Sequence, residues 1–245
     1  RHVVTSNKEV VAAYGVELTK IAFENNVRFL YEASAGGGIP VIRPLNICLS
    51  ANDIYEIQGI LNGTTNYILT KMHDEGISFE TALKEAQVKG YAEANPSADV
   101  DGHDAARKIA ILSSIAYKGF VDYNDVACTG IRNISSEDHV FADRLDCAIK
   151  LIARSRLADG KVTITTEPLL LSRNNLLASV NSVFNAVLVK GSYTGDTLFY
   201  GKGAGKLPTA SAVAGDIIEI LQNPVESSLP VFTEVNAEIN KNNDE

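Results

Sequence analysis

The 245 residues are 45% hydrophobic and 21% charged, with a net charge of −8 and a pI near 5.1; that is enough chain to bury a large core in one or two domains. An acidic surface argues against nucleic acid or an anionic membrane as the main partner, and no apolar run reaches the length of a membrane helix. Cys48, Cys128 and Cys147 form an odd set without C-x-x-C spacing, so no disulfide framework or cysteine zinc site is expected, and a reduced, cytoplasmic compartment is.

The chain opens on Arg1-His2-Val3-Val4, with no initiating Met and no charged-then-apolar leader. Residues 3–5 read as the end of a strand continued from upstream. Over 9–25, Val10, Val11, Tyr14, Leu18, Ile21 and Ala22 recur near helical spacing, and 27–31 follows as a second strand. Strand, helix and strand in about thirty residues make one βαβ-like unit. Ala35-Gly36-Gly37-Gly38-Ile39-Pro40 breaks the pattern with three glycines, which permit backbone shapes closed to other residues. Residues 54–61 read as a strand and Asn62-Gly63-Thr64-Thr65 as a turn, not a glycosylation site. Two amphipathic helices follow at 65–74 and 78–89, then a polar loop at 90–102 and a helix at 103–117. Phe141, Leu145, Ile149 and Ile152 fall on one stripe with Gly160 beyond it, which predicts a helix over 141–156. Residues 162–166, 183–190 and 197–200 read as strands, the last two joined by a hairpin loop at 191–196. Pro208 suits the first turn of a closing helix that ends near Leu221.

The segment from Gly90 to Lys108 carries the most chemistry. Asp104 and Lys108, four residues apart on a helix, share a face. On spacing alone they form a solvated surface ion pair. The apolar run behind them, and Glu93, Asp99 and Asp101 in the loop before them, point instead to a cleft. A lysine beside carboxylates can exchange protons there. Lys8 stands at the end of the first strand, the edge where open α/β sheets bind ligands; an exposed lysine at a helix start fits equally well. Gly201-Lys202-Gly203-Ala204-Gly205-Lys206 has the spacing of neither a phosphate loop nor a dinucleotide fingerprint. It is either a helix entry facing an anion or a tight turn. His2, His73, His103 and His139 form no zinc-binding cluster, and Ser34 lies in no hydrolase elbow.

Taken in order, Val3-Val4-Thr5-Ser6-Asn7-Lys8, the stretch from Tyr31 to Pro40, Gly59-Ile60-Leu61-Asn62-Gly63-Thr64-Thr65-Asn66, Gly90-Tyr91-Ala92-Glu93, Asp104-Ala105-Ala106-Arg107-Lys108, the stretch from Phe199 to Gly205 and Pro208-Thr209-Ala210 resemble homoserine dehydrogenase. The match runs over about residues 1–221. The resemblance implies reversible oxidation of L-homoserine to L-aspartate 4-semialdehyde with NAD(P), in threonine, methionine and isoleucine biosynthesis, by a homodimer or higher homo-oligomer. It implies Lys108 as the acid/base on the substrate oxygen and Lys8 beside the nicotinamide and the reacting carbon. Glu93 and Asp104 would hold the substrate, both suited to its ammonium group. Gly203, with Gly90 as a second candidate, would touch the cofactor. Oxygens of Glu32, Ala35, Gly37 and Ile39, largely backbone carbonyls, would coordinate sodium or potassium, a hard ion suited to oxygen ligands.

Two departures from the family pattern stand out. The loop reads Glu93-Ala94-Asn95-Pro96 where the family commonly has Glu-Ala-Asp-Pro, one charge fewer. No glycine-rich dinucleotide fingerprint precedes residue 31, so this fragment alone is expected to be inactive. The expected fold is α/β: residues 1–31 as the remnant of a Rossmann-like nucleotide-binding domain, then 32–206 as an α+β substrate-binding, catalytic and dimerisation region with a mixed or antiparallel sheet. Residues 207–221 form the closing helix, and 222–245 a polar tail or linker. Two rival readings are a semialdehyde dehydrogenase that acylates a cysteine, which needs an activated thiol, and a non-catalytic assembly module that keeps an enzyme's fold.

Overall fold

Asn7 sets where the first helix begins. Its side chain accepts hydrogen bonds from the N–H groups of Glu9 and Val10 at 3.1 and 3.2 Å, starting α1 (Lys8–Glu24) close behind β1 (Val3–Val4). The chain returns along α1 so that β2 (Phe29–Leu30) lies parallel to β1. The expected βαβ-like unit is present, with strands of two residues each. This computed structural model describes residues 1–223 and 238–239; most of the expected tail at 222–245 lies outside the described residues.

The rest of the chain is organised on a second sheet. In chain order come β3 (Ile54–Ile60), α2 (Gly63–Glu75), α3 (Phe79–Val88), α4 (Ser97–Val100), α5 (His103–Ala116) and β4 (Ala127–Cys128). Then follow α6 (Ser136–Arg144), β5 (Cys147–Ala158), β6 (Lys161–Ser172), β7 (Phe184–Gly191), β8 (Gly195–Lys202), α7 (Lys206–Gln222) and β9 (Glu238–Ile239). The strands lie in the order β4-β6-β5-β3-β7-β8, with β9 also against β6. β4 and β9 run parallel to β6 and every other pair is antiparallel, so the sheet is mixed.

Both faces of this sheet are covered. α5 is apolar nearly all round and is buried from Lys108 through Ile115, as expected of a helix without a wet face. Its Ile109 and Leu112 belong to one core cluster with Ile57, Ala153 and Val187. On the opposite face Ile60, Ile152, Ala186 and Leu188 pack with Leu177, Ala178 and Val180 from the connection between β6 and β7.

The helix predicted over 141–156 is corrected by the structure. A capping box at Ser135 and Asp138 starts α6 earlier, and Asp146, at φ +54°, ends it. β5 occupies the remainder. Phe141 and Leu145 are 58% and 64% exposed, so the apparent stripe was no buried face. In β5, Leu151 and Ala153 bury on one side and Ile152 on the other. A strand covered on both faces loses the alternation that marks it in sequence. Gly160 is half of a two-residue hairpin turn: Asp159 and Gly160 have φ +51° and +77° between the paired Ala158 and Lys161, the geometry that Asp-Gly favours. The strand expected at 162–166 runs on to Ser172 past Pro168.

β5 also carries a buried lysine. Lys150 is 3% exposed, and its Nζ donates to the carbonyl oxygen of Val180 at 2.6 Å and to the Oδ1 atoms of Asn181 and Asn66 at 2.8 and 3.3 Å. No carboxylate accepts from it among the described residues. Burial pushes its ammonium down to about 8. An unfolded lysine titrates near ~10.4, so the unfolded chain holds more protons between these values and stability rises with pH across that window. Urea unfolding from pH 7.5 to 10 is expected to show a gain on the order of 2 kcal/mol in the wild-type protein relative to Lys150→Met. Parallel pH dependences for the two proteins would contradict a buried, depressed ammonium.

Candidate active site

Asp104 and Lys108 lie one turn apart on α5, at 2% and 9% exposure. A carboxylate taken this far from water costs several kcal/mol unless cations and hydrogen bonds replace its hydration. Two ammonium groups do so. Lys108 Nζ donates to Asp104 Oδ2 at 2.7 Å and to the Leu61 carbonyl oxygen at 2.8 Å. Lys8 Nζ, from the first turn of α1, forms an ion pair with Asp104 Oδ1. One carboxylate therefore ties the β1–α1–β2 unit to the seven-stranded sheet. Burial by itself raises the Asp104 carboxyl; the two ammonium groups outweigh it and hold the group well below the usual carboxylate range.

Asn62, directly after β3, completes the cluster. Its Oδ1 accepts from the Thr65 N–H at 2.9 Å and caps α2, while its Nδ2 donates to Asp104 Oδ2 at 2.9 Å and to Asp99 Oδ1 at 2.7 Å. Burial pushes the Asp99 carboxyl up, with Asn62 working against it. Of the loop carboxylates, Asp99 is the one that reaches Asp104, through Asn62. Asp101 pairs with Arg132. Glu93 is exposed, and among the described residues its carboxylate makes no hydrogen bond or ion pair. Its loop is tied to the start of α2 by Thr64 Oγ1, which donates to the Tyr91 carbonyl at 2.6 Å. Sequence reasoning grouped Asp99 with the other loop carboxylates and read Asn62 only as a turn residue; the Leu61 carbonyl carries no side-chain signal at all.

The glycines divide by their surroundings. Gly90, at φ +73° with open space around it, follows α3. The N–H groups of Gly90 and Tyr91 bond back to the carbonyls of Gln87 and Ala86 at 3.0 and 2.8 Å, a Schellman closure. Gly37 and Gly203 meet each other: a Cβ on Gly37, itself at φ +60°, would lie 2.0 Å from the Gly203 carbonyl oxygen, and one on Gly203 would lie 2.0 Å from the Asn185 amide nitrogen. The two glycine-rich segments thus form a single backbone contact.

Glu32 spends its carboxylate on the chain that follows. Oε1 accepts from the N–H groups of Val41 and Ile42 at 2.7 and 2.9 Å, and Oε2 from that of Arg43 at 2.7 Å. These bonds anchor a short π-helical segment, Pro44–Cys48. The carbonyls of Ala35, Gly37 and Ile39 accept no hydrogen bond among the described residues. Near the far end of α5 a cavity of about 470 Å³ is bounded by Arg43, Leu45, Ile115 and Glu219; none of Lys8, Asp104 and Lys108 lines it. The three cysteines are free. Burial, then Asp101, pushes the Cys128 thiol up, the opposite of what an acylated nucleophile needs.

Residues 40–218 match the family model described as homoserine dehydrogenase. The chain is 51% identical over 228 residues to the homoserine dehydrogenase of Synechocystis sp., covering 90% of this chain and 52% of that protein. It superposes on the crystal structure of a homoserine dehydrogenase from Thiobacillus denitrificans with a TM-score of 0.93 at 40% identity, over 98% of this chain and 57% of that one. A hyperthermophilic archaeal homoserine dehydrogenase in complex with NADPH aligns with a TM-score of 0.76 at 33% identity, over 90% of this chain and 64% of that one. The chain thus spans about half the length of the curated relatives it matches.

Removing the shared charge is expected to be expensive. Asp104→Asn leaves the buried Lys108 ammonium without its anion, and the unfolding free energy measured in urea at pH 7 is expected to fall by about 3 kcal/mol. A change under about 0.5 kcal/mol is what a solvated surface pair gives, and would return Asp104 and Lys108 to that status.

Proposed function

The chain belongs to the homoserine dehydrogenase family, and from that premise we propose that it is the substrate-binding and proton-transferring half of an enzyme that interconverts L-homoserine and L-aspartate 4-semialdehyde with NAD(P). The observation that carries this reading is the buried Asp104 carboxylate shared by Lys8 and Lys108. A bound nicotinamide supplies the hydride chemistry, which leaves the protein to orient the substrate and move one proton. Lys108 moves that proton. An ammonium has three donors, and those of Lys108 to Asp104 and Leu61 account for two; the third serves the substrate oxygen. In the oxidation direction Lys108 enters neutral and takes the hydroxyl proton, and in reduction it returns a proton to the carbonyl oxygen. Asp104 keeps Lys108 oriented and stabilises its charged form. Glu93 and Asp104 hold the substrate; of the loop carboxylates, Asp99 and Asp101 are bonded to Asn62 and Arg132, while Glu93 is exposed with its carboxylate unengaged among the described residues.

In this reading the β1–α1–β2 unit is the carboxyl-terminal end of a nucleotide-binding domain, and residues 32–206 are the substrate-binding, catalytic and dimerisation region. The fit of NAD(P) rests on Lys8, whose side chain is 36% exposed beyond the end of β1 while it touches Asp104. Gly203, the cofactor-contacting glycine that the family resemblance implies, is buried against Gly37 and Asn185 just ahead of α7, and Gly90, the second candidate, lies in the loop that leads to Glu93. A sodium or potassium ion would sit at the turn from Glu32 to Ile39, held by the unspent carbonyls of Ala35, Gly37 and Ile39. Glu32 would contribute its carbonyl, its carboxylate being committed to backbone N–H groups. The enzyme would work as a homodimer or higher homo-oligomer in the cytoplasm. β8, with Leu198 and Tyr200 exposed, is a sheet edge a second copy would cover.

The test uses this chain joined to a complete nucleotide-binding domain. Lys108→Met is expected to lower kcat for L-homoserine oxidation by about 10²- to 10⁴-fold without change in far-UV circular dichroism. Wild-type turnover is expected to rise with pH across the alkaline range, because the base must be neutral. Full turnover in the variant, or a flat pH profile, contradicts Lys108 as the proton-transfer group.

A further inference from the structure

Asn62 stands where β3, α2, α4 and α5 meet, and it is 5% exposed. The two ends of its amide have different tasks. Oδ1 accepts from the Thr65 N–H at 2.9 Å and lies 3.2 Å from its hydroxyl, an N-cap for α2. Nδ2 has two hydrogens, and it donates to Asp99 Oδ1 at 2.7 Å and to Asp104 Oδ2 at 2.9 Å. A cap alone does not demand asparagine, since serine and aspartate cap a helix equally well. Neither brings two N–H donors to a point between two carboxylates. Carboxylates sharing a site disfavour each other's ionisation, and a neutral double donor between them relieves that repulsion while fixing both in place.

We propose that Asn62 is a positioning residue for homoserine oxidation: its amide ties Asp99 to Asp104, so that Asp104 presents Lys108 and Lys8 in one fixed geometry. This rests on the function proposed above. Asn62 acts through Asp104 and touches no reacting atom; its backbone position is set by the α2 cap, so the helix start is the rigid reference for the charge cluster.

The cap and the bridge separate by substitution. Asn62→Ser keeps a cap acceptor and loses both amide donors. Asn62→Asp keeps the cap and the side-chain shape but sets a third carboxylate beside Asp99 and Asp104. In the chain joined to a complete nucleotide-binding domain, kcat for L-homoserine oxidation is expected to fall about fivefold or more in Asn62→Ser, and further in Asn62→Asp. Carbon-13 NMR of this chain is expected to place the Asp99 carboxyl midpoint higher in Asn62→Ser than in wild type. If the fall in kcat is smaller than that, or the Asp99 midpoint does not move, the proposal is overturned and Asn62 is only a cap. Should both variants fail to fold, the wild-type chain decides: the Asn62 side-chain amide protons must shift with the midpoint of Asp99, and fixed resonances overturn the bridge. A wild-type enzyme unable to oxidise L-homoserine would refute the function proposed above, while the wild-type NMR measurement would still judge the bridge.

Discussion

The structure depends on one carboxylate. Asp104 is buried at the start of the central helix, where an isolated charge is untenable, and it is kept ionised by Lys108 from its own helix and Lys8 from α1. Each partner is constrained by something else: Lys108 by the Leu61 carbonyl, Lys8 by the Asn7-capped start of α1, and Asp104 itself by the Asn62 amide. Helix starts, a strand end and a short loop thus converge on a single charge. Such a cluster is costly if incomplete and rigid when satisfied, and that rigidity is what the proton transfer proposed for Lys108 would require.

Much of this was legible in the residues, and what was not has a physical cause. Helical spacing alone put Asp104 and Lys108 on one face, and the apolar run behind them signalled burial. The short strands around α1 were visible from their strand-helix-strand order, but the stripe read on the helix was only partly its buried face: Tyr14 and Ile21 are 58% and 46% exposed, while Val11, Ala12, Gly15, Thr19 and Ala22 are buried. What pattern reading cannot see is contact across sequence: Asn62 and Asp104 are 42 residues apart, and Asn62 and Asp99 are 37. The glycine runs at 36–38 and 201–205 each stood out, yet that they press backbone to backbone is a tertiary fact. β5 was misread because coverage of both its faces erases alternation, although Asp159-Gly160 announced its hairpin.

The same lesson applies to the expected ligands of the site. Glu93 was singled out for its place in a recognised loop, yet it stands exposed while Asp99, four residues after Asn95, joins the buried cluster. Glu32 was grouped with backbone oxygens, and its carboxylate proves committed to three N–H groups. A side chain's type shows what it is able to bind; its hydrogen-bond partners decide what it still has to offer.

The most direct measurement is a carbon-13 NMR titration of the Asp104 carboxyl in this chain. With two ammonium groups on a buried carboxylate, no titration step is expected anywhere in the ordinary aspartate range near ~3.9. A midpoint at that value would mean that Asp104 is solvated and unshared, and the account built on it would fall.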